Sequence, residues 1–170
     1  MYVTIVLRPI KFRDTQAYFD LTHSDLDIKK YVPKKVKNTL AQTGEFLGEC
    51  EKADFQTEYA YIIELHSSDG IFPIGALFAS ATPIYNSLTV TYFIGKHYRH
   101  QGYMKEALRK FAAFIKHDTR YCSLFFDIPA SNQTCKNLVQ SVGAKSAGIS
   151  PISVFEQFER FELRLRTPQQ

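Results

Sequence analysis

Tyr98-Arg99-His100-Gln101-Gly102-Tyr103-Met104-Lys105-Glu106-Ala107 is the stretch on which the reading of this chain turns. It follows an apolar alternating run, Leu88 to Ile94, and opens a pattern in which Met104, Ala107, Leu108, Phe111, Ala112 and Ile115 recur at helical spacing. The order is strand, short basic loop with one glycine, helix. Such a loop aims unpaired backbone N–H groups and the positive end of a helix dipole at one spot, which suits an anion such as a pyrophosphate. Gly102 lets the backbone approach a ligand with no side chain in the way. A glycine before a helix is also an ordinary turn signal, so this loop alone leaves both readings open.

Working outward, Tyr2 to Leu7 is β-branched and apolar until Arg8-Pro9 breaks it, which predicts an opening strand. Asp14 stands as N-cap of a helix carrying Ala17, Tyr18 and Leu21. The pattern then predicts a short helix over Leu26 to Tyr31, a break at Pro33, and a helix from about Lys35 that turns Val36, Leu40, Phe46 and Leu47 inward. The break from Asp25 to Lys37 reads either as the wall of a substrate cleft or as a surface loop. Tyr59 to His66 alternates as a strand, with Tyr61, Ile63 and Leu65 on one face and Ile62, Glu64 and His66 on the other. Strands over Ile74 to Ala81 and Leu88 to Ile94 continue it as an antiparallel meander. Tyr121 to Ile128 is apolar on both faces, as in a covered central strand. A helix with an inner stripe of Cys135, Leu138, Val139 and Val142 follows, and strands over Lys145 to Ile149 and Phe158 to Arg166 close the sheet. Aromatics near the end, Phe155, Phe158 and Phe161, either finish the core or pair with a second copy, so monomer and homodimer both stay open.

The 170 residues suit one domain over 1–170 with a real core. At 45% hydrophobic and 22% charged, the composition is globular. A net charge of +4 mildly favours anionic ligands. The basic residues are scattered, and the dense run Lys29-Lys30, Lys34-Lys35 and Lys37 reads as a solvated helix flank, so nucleic acid is not expected. Cys50, Cys122 and Cys135 show neither zinc nor disulfide spacing, which points to a reducing cytoplasm. No apolar run is long enough to span a bilayer, and no membrane partner is expected. His97 and His100 lack a third ligand at sensible spacing, so no metal is expected.

The loop resembles the acetyl-CoA loop of the GNAT superfamily of N-acetyltransferases, whose Arg/Gln-x-x-Gly-x-Gly/Ala pattern is met at Arg99 and Gly102, while Met104 departs from it. Ser131 to Ala144 is similar to the family's second signature, with Asn132 opening a helix and Gly143 closing it. The order of elements, β-α-α-β-β-β-α-β-α-β-β, extends the resemblance over nearly the whole chain. Val6-Leu7-Arg8-Pro9 and Val90-Thr91-Tyr92-Phe93-Ile94 look most like the RimJ/RimL-type branch, which acetylates ribosomal-protein N-termini. The resemblance implies an α/β fold with a mixed, mostly antiparallel sheet of about seven strands and helices on both faces. It implies acetyl-CoA as co-substrate and a primary amine, small or at a peptide N-terminus, as acceptor. Phe93, Ile94 and Gly95 would hold the pantetheine and polarise the thioester. Gln101, Gly102, Tyr103, Met104 and Lys105 would face the pyrophosphate, with Arg99 and His100 at the mouth, and Asn132 would bond the pantetheine arm. For acid and base the candidates are Cys135, where this branch often carries a serine, and Glu64 acting through water; each also reads as structural, Cys135 as core and Glu64 as an ion-paired strand residue. The family's frequent tyrosine is replaced by Val139, and the branch's glutamate before the loop by Thr89. A catalytically silent acyl-CoA-binding module with the same fold is the alternative, and branch membership does not fix a substrate.

Overall fold

A run of β-branched residues extends the chain into β1 (Val3–Pro9), which lies antiparallel to β2 (Glu58–Ser67) with Val3 opposite Ser67 and Pro9 opposite Tyr61. β1 is an edge strand, and Pro9 at its end is tolerated there because its missing N–H leaves no central ladder broken. The computed structural model describes residues 2–83, 86–152 and 157–167. After β1 come α1 (Thr15–Thr22), α2 (Leu26–Tyr31) and α3 (Leu40–Lys52); then β2, β3 (Gly70–Thr82) and β4 (Ser87–Ile94); then α4 (Tyr103–Asp118), β5 (Ser123–Pro129), α5 (Gln133–Ser141), β6 (Lys145–Ile149) and β7 (Phe158–Arg164). The strands form a seven-stranded, mostly antiparallel sheet in the order β1-β2-β3-β4-β5-β7-β6. β4 and β5 are parallel over Ser87↔Ser123 to Thr89↔Phe125, while β4 itself runs on to Ile94.

Contacts divide the chain into two units, residues 1–78 with 91–107 and residues 79–90 with 108–170. The first is built on a cluster that includes Ile10, Tyr18, Ile28, Leu47, Ile62, Phe78 and Phe93, each side chain contributing about 1.5–3 kcal/mol on full burial. Tyr18 is its hub: its ring meets Phe46, Phe78 and Phe93 edge-on at centroid distances of 6.0, 6.4 and 5.4 Å. In the second, Phe111, Ile115, Leu124, Phe126, Val139 and Phe161 are buried. There Arg160 donates from Nε and Nη2 to both oxygens of Asp127, each at 2.8 Å, bolting β7 to β5.

Three expectations change. Asp14 does not cap α1: its buried carboxylate accepts two bonds from Arg8, at 3.0 and 2.9 Å, and one from the Lys11 N–H at 2.8 Å, because pairing a guanidinium outweighs a helix N–H. The helix expected from about Lys35 begins at Leu40, because Thr39 accepts the Gln42 N–H at 3.2 Å and sets the N-cap there. Leu40 is consequently exposed, while Leu47 is fully buried. In α5 the stripe is narrower than expected, with Val139 buried and Cys135, Leu138 and Val142 half-buried. Phe155 lies outside the described residues; Phe161 finishes the core.

Candidate active site

The loop between β4 and α4 is built by unusual backbone angles. His100 has φ 61° and Gly102 φ 82°, two left-handed residues flanking Gln101. An ideal Cβ on Gly102 would meet nothing within 4 Å, so this backbone faces open space. The first α-helical bond of α4 runs from the Glu106 N–H to the Gly102 carbonyl at 3.1 Å, so the N–H groups of Tyr103, Met104 and Lys105 have no acceptor within the helix. Met104 turns its side chain inward, with 9% exposed, and offers a ligand only its backbone; His100 and Gln101 are exposed.

Ahead of the loop, β3 crowds β4. A Cβ on Gly75 would lie 2.3 Å from the Phe93 carbonyl oxygen, and the Gly95 N–H donates to the Ile74 carbonyl at 2.8 Å. Backbone groups alternate in direction along a strand, so the Ile94 N–H points away from β3. Of Phe93, Ile94 and Gly95, Ile94 thus has the amide oriented for a ligand. A glycine inside a strand pattern is the signal that could have found Gly75.

Arg99 is engaged more fully than the sequence suggests. Nη2 donates to Asp25 at 2.5 Å, Nη1 to Asp27 at 2.9 Å and Nε to the Ile94 carbonyl at 3.0 Å. Its guanidinium ties the loop to the start of α2. Burial pushes the Asp25 carboxyl up, but the Arg99 hydrogen bond and the N–H groups of Ile28 and Asp27 outweigh it and hold the group below its ordinary value. In the sequence Asp25 only opens the break from Asp25 to Lys37, and nothing there points to Arg99.

Glu64 is likewise occupied. Oε1 accepts from Arg8 Nε at 2.7 Å, and Oε2 lies 2.9 Å from His66 Nε2. Burial raises its pKa, and the bonds from His66 and Arg8 turn the net shift downward. The Arg8 guanidinium, bonded to Asp14 and Glu64, is held well above its ordinary value despite partial burial. This network clamps β1 to β2.

In the second unit, Asn132 caps α5: Oδ1 accepts the Cys135 N–H at 3.2 Å, which leaves the amide nitrogen outside the cap. Cys135 is half-buried one turn in, and Cys50, Cys122 and Cys135 form no disulfide. Among the described residues no group of three or more His, Cys, Asp or Glu is placed to hold a metal ion, and no helix is long and apolar enough to cross a membrane.

Residues 4–145 match the family described as acetyltransferase (GNAT) domain. No curated protein sequence matches the chain. Among solved structures it is similar to an acetyltransferase of the GNAT family from Bacillus anthracis, at 16% identity over 95% of this chain and 96% of that one, with TM-score 0.77. It is also similar to spermidine N-acetyltransferase from Vibrio cholerae in complex with CoA and spermine (13% identity, 95% of each chain, TM-score 0.79). A third is a RimL ribosomal-protein acetyltransferase in complex with coenzyme A (14% identity, 95% of this chain and 94% of that one, TM-score 0.78). At these identities the likeness is one of fold. With the family match spanning most of its length, the chain belongs to the acetyltransferase (GNAT) domain family, and its reaction is acetyl transfer from acetyl-CoA.

Proposed function

We propose that the chain acts as one domain in the cytoplasm and transfers the acetyl group directly from acetyl-CoA to a primary amine, on a small molecule or a peptide N-terminus. The observation that carries this reading is the loop: His100 and Gly102 are left-handed, the space beside Gly102 is open, and the first three N–H groups of α4 have no acceptor within the helix. Those donors suit a pyrophosphate, with His100, Gln101 and Lys105 beside them. Asn132, with its amide nitrogen outside the helix cap, suits the pantetheine arm.

The attacking amine is neutral, and as its nitrogen bonds the acetyl carbon the carbonyl oxygen gains charge. The Ile94 N–H is the donor for that oxygen. With both oxygens of Glu64 held by Arg8 and His66, we assign the amine's proton to water and give Glu64 the task of fixing β1 against β2. Orientation of two bound reactants supplies much of the rate in a direct transfer. The acceptor wall falls in residues 25–50, where a cavity of about 340 Å³ is lined by Val36, Lys37, Glu45, Phe46 and Glu49 among others.

The same engagement of Glu64 favours a second reading, an acyl-CoA-binding module without catalysis. The test is release of CoA thiol with a panel of small amines and peptides, run beside calorimetry with acetyl-CoA. Amine-stimulated release supports transfer. Binding of acetyl-CoA with no stimulated release from any panel member selects the second reading.

A further inference from the structure

Lys35 closes the 3-10 turn Pro33–Lys35 within the basic run. Lys29, Lys30 and Lys34 are exposed, whereas Lys35 and Lys37 are half-buried with both side chains over Phe46, Lys37 Nζ at 4.7 Å from its centroid; of the two, Lys35 also reaches Phe78. Its Nζ lies 4.4 Å from the centroid of Phe78 and 5.6 Å from that of Phe46. The Tyr18 hydroxyl donates to the Lys35 carbonyl at 2.8 Å, and the Tyr18 ring packs against both Phe78 and Phe93. One tyrosine thus anchors the Lys35 backbone and touches the residue before Ile94.

An ammonium over a ring face is held by the ring quadrupole, yet lifting it out of water disfavours its charge. Burial lowers the Lys35 pKa, which Cys50 and Glu58 counter only in part. The result is an amine with an increased neutral fraction, seated on rings that lead to Phe93, in a protein that transfers acetyl groups.

We propose that Lys35 is a self-acetylation site, its Nζ serving as acceptor when acetyl-CoA is bound and no external amine competes. The inference rests on the proposed amine acetyltransfer. The Nζ lone pair forms the C–N bond as the C–S bond of the thioester breaks; the nitrogen sheds a proton, the CoA thiolate takes one up, and the products are acetyl-lysine and CoA thiol. Acetylation removes the charge and with it the hold on Phe46 and Phe78, so the modified side chain leaves those ring faces.

The full chain is incubated with acetyl-CoA alone and cleaved ahead of Asp27 and Asp54, and the peptide carrying Lys29, Lys30, Lys34, Lys35 and Lys37 is sequenced by mass spectrometry. Acetylation at Lys35 is expected at least tenfold faster than at Lys34. Its rate per molecule should not depend on protein concentration, and excess CoA should slow it. Equal rates at Lys35 and Lys34, indifference to CoA, or a rate that rises with protein concentration each overturn the proposal. External amines acetylated while Lys35 stays unmodified would sink this inference and leave the proposed function standing. Lys35 acetylated with no external amine accepted would uphold the inference and overturn only the part of the proposed function that names an external acceptor. No acetylation of either overturns both.

Discussion

Arg99 Nη2 lies 2.5 Å from Asp25 Oδ2, while Oδ1 of the same carboxylate accepts the Asp27 and Ile28 N–H groups at 3.1 Å each. One buried carboxylate therefore caps α2 and holds the loop ahead of α4. Asp25→Ala should lose both and destabilise the protein by about 2 kcal/mol, a helix cap plus the buried one of the two carboxylates that hold the Arg99 guanidinium. Asp27→Ala, whose carboxylate is mostly exposed, should stay within about 0.5 kcal/mol. Urea unfolding measures both, and equal losses would show that Asp25 is no clasp.

Gly102→Val should separate folding from ligand binding. Open space around the position means no clash in the free protein, so the folded state should lose only about 1–2 kcal/mol for a branched residue at positive φ. Acetyl-CoA affinity should fall about thirty-fold, roughly 2 kcal/mol, as the side chain stands where the pyrophosphate approaches. Calorimetry on protein checked by circular dichroism decides it; unchanged affinity removes the loop from the site.

Gly75→Ala should behave in the opposite way. Its Cβ would collide with the Phe93 carbonyl, a backbone atom that cannot swing aside, so β3 and β4 must part. A loss of about 3 kcal/mol or more in unfolding free energy is expected. A melting temperature equal to that of the parent would contradict the close approach.

Most elements could be read from periodicity because their cores obey it: Ile62, Leu108, Phe111 and Val139 are buried at the positions their patterns give them. The partners of charged residues could not. Arg8 meets Glu64 and Arg99 meets Asp25 across separations of 56 and 74 residues, and no local pattern carries a pairing over that distance. For that reason Asp14 reads as a cap in the sequence although Arg8 holds it in an ion pair, and the resemblance that puts Arg99 at the mouth of the site says nothing of its aspartate partners. The start of α3 was obscured by Pro33 and the lysines around it, which form a separate 3-10 turn.

Stability should fall in acid with a defined sign. Asp25 and Glu64 both titrate below their ordinary values, 3.8 and 4.5, so the unfolded chain takes up their protons first as the pH drops. Their contribution is complete above about pH 5 and is lost as pH falls through the folded values. Urea midpoints should be level between pH 7 and 5 as far as these groups are concerned and decline below. In Glu64→Gln that decline should be shallower; an identical slope would show that Glu64 is not held by Arg8 and His66.

Asn132 and Cys135 should part company. Asn132→Ala removes the α5 cap and an amide suited to the cofactor, so turnover and acetyl-CoA affinity should fall together. Cys135→Ala and Cys135→Ser should change stability without moving kcat tenfold, about 1.4 kcal/mol of barrier, if the thiol is packing. A collapse confined to the alanine variant, with melting temperature unchanged, would make Cys135 the proton donor to the departing thiolate.

The pairing of Arg99 with two aspartates also bears on how the protein meets its ionic surroundings. A guanidinium already neutralised from within attracts a polyanion only faintly, so under the proposed function Arg99 would add little to capture of acetyl-CoA, and the backbone dipoles acting at contact distance would matter more. Mobile ions shield separated charges far more than touching ones. In the proposed function, occupancy of the loop would then answer to the concentration of acetyl-CoA more than to that of salt.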